Sequence, residues 1–321
     1  MTRRDALLEG TRILADGRQR GSETPSLDAS LLLSAALSVT KEALLASLSE
    51  PLAEAARGRY LELVRRRTGG APVAYLVGHK EFWGRDFAVD ERVLVPRPDT
   101  ELLVELGLRF GDIVSEDSGS APYEDGVRRK KGSLRVHELC VGSGCVAISL
   151  ACERPRWMVS GSDLSGAALE VARTNRERLV PKDRPGGELE LFRADLFAAQ
   201  SESGAFARKE IGEAEAHIRH DLILANPPYV ESSEAIDLAA AWGEPAMALD
   251  GGADGLDPYR ELVPQALPLL APGGCLLLES DPSQTAVIRG LLLAAGFGEV
   301  RSFTDLAGLE RVTLGRKPWT T

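Results

Sequence analysis

The sequence predicts an α/β fold, in which helices cover both faces of a mostly parallel sheet, preceded by a smaller helical domain. From residue 134 onward, short apolar runs alternate with segments of helical length, which is typical of parallel strands joined by crossover helices. Before residue 68, apolar residues recur at helical spacing. We therefore expect a helical bundle at 1–70, a β-hairpin linker at 71–98 and an α/β domain at 99–321.

The N-terminal segment is expected to form about four short helices. Leu27, Leu31 and Leu32 lie on one helical face, and Thr40 is placed to cap a helix that begins at Lys41. Short β-type runs separated by turns follow and predict the hairpin, at 73–76, 81–84, 87–89 and 93–95.

The α/β part is expected to contain seven strands, of which the last two pair antiparallel. They are predicted at 134–140, 157–163, 189–192, 221–225, 275–279, 300–304 and 311–314. Helices are predicted from near Glu101 to near Phe110 and at 145–152, 165–179, 258–270 and 282–295. Two polar inserts, 115–133 and 200–219, are predicted to be surface loops.

Composition narrows the class of protein. The formal net charge of −10 repels phosphate, which argues against non-specific nucleic-acid binding. No run of about twenty apolar residues is present and the N-terminus lacks a signal-peptide core, so we expect a cytoplasmic protein without a membrane span. The four cysteines lack C-x-x-C spacing and are expected to be buried thiols. No metal site is predicted, and His217 and His220 are expected in a solvated loop.

The most distinctive stretch is Asn226-Pro227-Pro228-Tyr229, directly after an apolar strand. Prolines fix φ and donate no ladder hydrogen bond, so the chain must turn here, at the edge where open α/β sheets bind ligands. The Asn226 amide oxygen and the Pro227 carbonyl can accept the two hydrogens of a planar NH2 group, with the Tyr229 ring against its face. A proline turn that only caps the strand is the alternative.

A glycine turn, Val141-Gly142-Ser143-Gly144, separates a predicted strand from a helix and leaves backbone N–H groups open to a ligand. Asp163 ends the next strand, where it can accept hydrogen bonds from a ribose diol. Dinucleotide dehydrogenases and adenosyl-methionine methyltransferases share this arrangement. The antiparallel strand pair and the Asn-Pro-Pro-Tyr turn favour the methyl donor. Asp195 is placed either to meet an adenine edge or to cap a helix.

Further motifs resemble one enzyme family, the release factor glutamine methyltransferases, also called PrmC or HemK. The resemblance runs from about Gly70 to Arg316, and the N-terminal bundle fits in size. Besides 226–229, it rests on the segments 74–78, 81–84, 95–101, 244–245, 248–249, 252–256, 272–274 and 305–308. It implies a class I S-adenosylmethionine-dependent methyltransferase fold, with a Rossmann-like seven-stranded sheet and a small N-terminal helical domain that docks the release factor.

The resemblance also implies a reaction: methyl transfer from S-adenosyl-L-methionine to the side-chain N5 of the glutamine in the Gly-Gly-Gln motif of class I peptide chain release factors. Asn226, Pro227 and Tyr229 would be catalytic, and Asn226, Pro227, Pro228 and Tyr229 would bind the substrate. The implied cofactor-binding residues are Cys140, Val141, Gly142, Ser143, Gly144, Asp163, Asp195, Leu196 and Asn226.

Three places in the sequence depart from the family pattern. Cys140 replaces the usual first glycine, Leu196 stands where an aromatic residue is common, and Ser280-Asp281 replaces a hydrophobic-Gly pair.

The expected enzyme is a monomer involved in translation termination, with no direct nucleic-acid partner. Three alternatives stay open: a nucleic-acid adenine N6-methyltransferase, a nicotinamide-linked oxidoreductase and a non-catalytic module that binds release factors.

Overall fold

The structure is a computed structural model that describes residues 1–16, 22–117, 132–199 and 219–319. Most of the two predicted inserts therefore lies outside the described residues. Among the helices that are described, none is both long enough and apolar enough to cross a membrane.

The N-terminal helices share one apolar core. They are α1 (Arg3–Asp16), α2 (Pro25–Leu37), α3 (Lys41–Ala46), α4 (Glu54–Thr68) and α5 (Val73–Val77). Leu32, Leu33, Leu44 and Tyr60 are completely buried between them. Thr40 caps α3 as predicted, because its hydroxyl accepts a hydrogen bond from the Ala43 N–H at 3.2 Å.

The segment 73–76 was predicted to be β and this is wrong, since it forms α5. Val73, Leu76 and Val77 pack into the core of the other helices, and Gly78 ends the helix in the left-handed conformation. Packing against α2 and α4 thus overrides the β propensity of Val73 and Tyr75. Residues 93–95 form no strand either, although Val93 and Val95 are buried.

The predicted hairpin is present but shorter. Strands β1 (His79–Phe82) and β2 (Arg85–Ala88) pair antiparallel around a two-residue turn in which Trp83 and Gly84 have positive φ. Phe82 and Phe87 are buried in the core of the α/β part, so the hairpin is anchored to that part.

The main sheet carries the seven predicted strands and one short additional strand. They are β3 (Arg135–Leu139), β4 (Met158–Asp163), β5 (Glu190–Asp195), β6 (Ala198–Ala199), β7 (His220–Ala225), β8 (Leu270–Glu279), β9 (Gly298–Thr304) and β10 (Glu310–Arg316). The order across the sheet is β6-β5-β4-β3-β7-β8-β10-β9. Strands β5, β4, β3, β7 and β8 are parallel, whereas β10 and β9 are antiparallel as predicted. The two-residue β6 adds an antiparallel edge.

Helices cover both faces of this sheet. They are α6 (Glu101–Asp117), α7 (Cys145–Glu153), α8 (Gly166–Leu179), α9 (Ser232–Trp242), α10 (Asp257–Leu269) and α11 (Thr285–Ala295). Successive residues of β7 alternate between the two cores, with Leu222 and Leu224 on one face and Ile223 on the other. Helix α6 continues beyond the predicted end near Phe110, and the sequence pattern did not predict α9.

Histidine and cysteine positions correct two further expectations. His220 does not lie in a solvated loop: it begins β7 and its ring stacks on buried His137, with 5.2 Å between centroids. Residue 217 lies outside the described residues. Cys275 is buried, whereas the other three cysteines, Cys140, Cys145 and Cys152, are half-buried free thiols.

Candidate functional site

The carboxyl ends of the parallel strands meet at one edge of the sheet, where the strand order reverses between β3 and its neighbours β4 and β7. Such a reversal opens a crevice that binds ligands in α/β proteins. Two cavities lie here. The first has a volume of about 650 Å³ and follows the ends of β3, β4 and β5. The second, about 850 Å³, lies between the N-terminal helices and the Asn-Pro-Pro-Tyr turn.

The first three residues of the glycine turn, Val141, Gly142 and Ser143, line the first cavity. Gly144, the N-cap residue of α7, adopts φ +81°, a conformation that glycine enters without the penalty of a side chain. Asp163, at the end of β4, accepts hydrogen bonds from the Gly142 N–H at 2.9 Å and the Ser165 N–H at 2.8 Å. Burial raises the pKa of Asp163, and these two bonds oppose that effect. The carboxylate is thereby held in place at the cavity.

The structure places most of the predicted cofactor-binding residues on the wall of the first cavity. Cys140 and Leu196 both have positive φ, and Asp195 is exposed at the end of β5. The lining includes Cys140, Val141, Gly142, Ser143, Asp163, Asp195, Leu196 and Asn226. Gly144 does not line it. Pro228, predicted to bind substrate, lines this cavity and not the second one.

Asn226 lines both cavities, so the turn predicted from the sequence lies between them. Its Nδ2 donates to the Thr100 hydroxyl at 3.3 Å. Among the described residues, none donates a hydrogen bond to Asn226 Oδ1 or to the Pro227 carbonyl. Two acceptors are therefore available at the junction. Pro227 and Tyr229 line the second cavity with Asn226.

A glycine-rich loop, residues 251–255, packs against the backbone of this turn. A Cβ on Gly251 would lie 2.8 Å from the Pro228 carbonyl oxygen, and one on Gly255 would lie 2.2 Å from that of Tyr229. No side chain fits at those distances, so the close approach requires glycine. Gln284 Nε2 donates to the Tyr229 carbonyl at 2.9 Å and to the Gly255 carbonyl at 3.1 Å. These contacts fix the backbone of the turn.

Thr100 and Glu279 are part of the site, although the sequence patterns did not identify them as functional. The Thr100 hydroxyl donates to Glu279 Oε1 at 3.0 Å, and both residues are buried. Glu279 ends β8, so its position at the carboxyl end of a strand beside β7 was the available signal. Burial raises the pKa of Glu279 to about 7, and burial is also the main cause that raises the pKa of Tyr229 to about 12.

An ion pair between the half-buried Arg97 and the buried Glu244 supports the wall between the two cavities. The Arg97 guanidinium contacts the Glu244 carboxylate, whose Oε1 also accepts the Val95 N–H at 3.1 Å. Arg97 lies over the Trp242 ring at 5.4 Å. The pair joins the segment before α6 to the segment after α9. These are two of the segments that carry the family resemblance, 95–101 and 244–245.

Comparison with known proteins identifies the family. The family model described as PrmC N-terminal domain matches residues 5–78. The release factor glutamine methyltransferase of Moorella thermoacetica is 39% identical over 316 residues, which cover 98% of each chain. That of Burkholderia pseudomallei is 39% identical over 303 residues, 93% of this chain and 94% of the relative.

The chain belongs to the release factor glutamine methyltransferase family. It is therefore a methyltransferase, as the sequence motifs predicted. A solved protein-(glutamine-N5) methyltransferase (release factor-specific) from Alicyclobacillus acidocaldarius is 24% identical, covering 72% of this chain and 99% of that chain with a TM-score of 0.36. Membership in the family follows from the sequence relatives.

Proposed function

We propose that this methyltransferase modifies the side-chain N5 of the glutamine in the Gly-Gly-Gln motif of class I peptide chain release factors, using S-adenosyl-L-methionine. The observation that carries the proposal is the position of Asn226 between two cavities, with free acceptors at Asn226 Oδ1 and the Pro227 carbonyl. A primary amide has two N–H donors on one nitrogen, which matches these two acceptors. We also propose that the enzyme acts in the cytoplasm as a monomer.

The residues of the first cavity suit S-adenosyl-L-methionine. Asp163 and Asp195 offer carboxylates to ribose hydroxyls and the adenine edge, and Leu196 offers an apolar surface. Acidic side chains outnumber basic ones on the wall, which favours a ligand with a sulfonium and an ammonium group. When bound, this cofactor would supply the methyl group of its sulfonium, with S-adenosylhomocysteine as the leaving group.

The protein's own contribution is positioning and electrostatic stabilisation of the substrate amide. Asn226 Oδ1 and the Pro227 carbonyl accept the two N–H bonds, which increases electron density on a nitrogen whose lone pair is delocalised. Positive charge grows on that nitrogen in the transition state, so the acceptors bind it more tightly than in the ground state. Positioning alone can contribute up to about 7–11 kcal/mol. The nitrogen then loses one proton to water.

The second cavity suits a protein loop. Its lining combines Leu27 and Arg67 of the N-terminal helices with Tyr229 and Trp242 of the α/β part. A loop that carries the glutamine would enter between the two, with the N-terminal helices as the docking surface for the rest of the release factor.

The test is methyl transfer from labelled S-adenosyl-L-methionine to a purified class I release factor, beside the same factor with the Gly-Gly-Gln glutamine replaced by alanine. We expect label on the intact factor only. Label on both would place the reaction at another residue. Label on neither, with label on adenine-containing DNA that decreases steeply with salt, would favour the adenine methyltransferase alternative.

A further inference from the structure

A buried carboxyl group lies next to the Asn226 amide. Glu279 is 2% exposed at the end of β8, and its Oε1 accepts the hydrogen bond from the Thr100 hydroxyl. Among the described residues, no donor meets its Oε2 in hydrogen-bond geometry, although the Asn226 side chain lies close enough to lower the pKa of Glu279. Leaving a carboxylate oxygen buried without a donor costs free energy, so this arrangement is not explained by stability.

The two hydrogen bonds that link Asn226, Thr100 and Glu279 have a defined direction. A threonine hydroxyl carries a single proton. When it donates that proton to the Glu279 carboxylate, it can only accept from Asn226, and the amide nitrogen of Asn226 must face it. The opposite end of the amide, Oδ1, is then turned away from Thr100.

We propose that Glu279, acting through Thr100, is a positioning residue that sets which end of the Asn226 amide meets the substrate. The inference rests on the proposed function, because it assumes that Asn226 Oδ1 accepts the N–H of a glutamine amide. Amide oxygen and nitrogen have nearly the same shape, so packing alone does not distinguish them. An ionised Glu279 does, since it accepts hydrogen bonds only.

Protonation of Glu279 would remove this control. Burial and the nearby Asp99 raise its pKa to about 7, whereas the Thr100 hydroxyl, Arg311 and Asn226 lower it. Tyr229, Tyr259, Asp281 and Glu138 also face this region. A protonated Glu279 can donate to Thr100, whose own proton then points at Asn226 and favours the reversed amide. Activity should therefore be present above about pH 7 and decrease below it.

Two variants of the full-length enzyme test this relay, by which Glu279 orients the Asn226 amide through Thr100. Glu279→Gln places an NH2 group where the carboxylate was, and Thr100→Val removes the connecting hydroxyl. Both should lower kcat by roughly 10²-fold, the effect of losing one preorganised hydrogen-bonding group, with little change in the Kd for S-adenosylhomocysteine. Thr100→Ser, which keeps the hydroxyl, should restore most of kcat. Only the wild type and Thr100→Ser should lose activity with a midpoint near pH 7.

Matched controls come from a glutamate and a threonine elsewhere in the fold. Glu310 Oε2 accepts a hydrogen bond from the Thr285 hydroxyl at 2.7 Å, and Thr313 is a completely buried threonine on β10. Glu310→Gln and Thr313→Val should leave the pH profile unchanged. Wild-type kcat in Glu279→Gln, or equal losses in Thr100→Ser and Thr100→Val, would overturn the inference.

A measurement without substrate separates this inference from the proposed function. The side-chain NH2 resonance of Asn226, identified by its loss in Asn226→Asp, should shift with a midpoint near pH 7 in the wild type and show no such shift in Glu279→Gln. That result would uphold the amide orientation even if release factors were not methylated. An unshifted resonance in an active enzyme would overturn the relay while leaving the proposed function intact.

Discussion

Asn226 combines two tasks in one side chain. Its nitrogen is engaged by Thr100, and its oxygen is available at the junction of the two cavities. Only a side chain with a donor and an acceptor at opposite ends can do both, which explains an amide at this position better than a carboxylate. The neighbouring prolines hold the backbone in a turn that glycine-loop contacts support.

Asn226→Ala should lower turnover far more than cofactor binding. The loss removes an acceptor that interacts most strongly in the transition state, so we expect a decrease in kcat of roughly 10²–10³-fold. Steady-state methylation of the release factor gives kcat, and calorimetry with S-adenosylhomocysteine gives the Kd. Wild-type turnover in this variant would rule out the role assigned to Asn226.

At the scale of elements, close helix packing holds the N-terminal core together. Helix α1 approaches α4 where Gly10 faces the Tyr60 ring, and a Cβ on Gly10 would lie 1.8 Å from the Tyr60 hydroxyl oxygen. Tyr60 is completely buried and its hydroxyl has no hydrogen-bond partner among the described residues. Because the Tyr60 ring is closely packed on all sides, it cannot shift to make room for a methyl group on Gly10.

Gly10→Ala should therefore destabilise the protein by about 1–3 kcal/mol through overpacking. Gly58→Ala is the matched control, because Gly58 lies exposed within α4 and an added Cβ there meets nothing within 4 Å. That substitution should stabilise the helix by roughly 0.5–1 kcal/mol. Urea unfolding of both variants measures the difference, and equal effects would show that α1 can shift freely.

At the scale of the whole molecule, the edge of the sheet that forms the site carries buried acids. Burial raises the pKa of both Glu138 and Glu279, and Glu138 Oε2 accepts the Ala147 N–H at 2.6 Å. Such groups bind protons more tightly in the folded state than in the unfolded chain. The site is therefore assembled at a cost in stability that grows as these acids ionise.

This cost predicts how stability depends on pH. The pKa of Glu279 is about 7 in the folded protein against an ordinary value of 4.5, so its contribution is full below pH 4.5 and is lost as the pH rises through about 7. The difference corresponds to on the order of 3 kcal/mol. From pH 5 to pH 8, the free energy of unfolding of the wild type should decrease. In Glu279→Gln the decrease should be smaller by about 3 kcal/mol.

Urea unfolding at each pH is the measurement, and Glu310→Gln is the control. Side-chain hydrogen bonds from Thr285 and Arg289 lower the pKa of Glu310, so Glu310 is ionised in both states across this range and its loss should leave the slope unchanged. Identical slopes for wild type and Glu279→Gln would contradict the raised pKa of Glu279.

Local sequence information was sufficient for the parts of the fold that depend on neighbouring residues. The apolar runs predicted the seven strands, the prolines predicted the turn at Asn226, and Thr40 predicted a helix cap. The turn, Cys140 and Asp163 could be assigned to one edge because the ends of parallel strands share it. The prediction for 73–76 was wrong, since Val73 and Tyr75 favour a strand and contact with α2 and α4 makes the segment helical.

The sequence by itself therefore determined the order along the chain of the seven main strands, the family and the residues of the Asn-Pro-Pro-Tyr turn. The tertiary structure alone decided what surrounds that turn. Thr100 lies 126 residues from Asn226 and 179 residues from Glu279 along the chain, and no local pattern couples positions so far apart. The physical reason is that a hydrogen bond depends on distance in space, which only the packing of α6 against the sheet establishes.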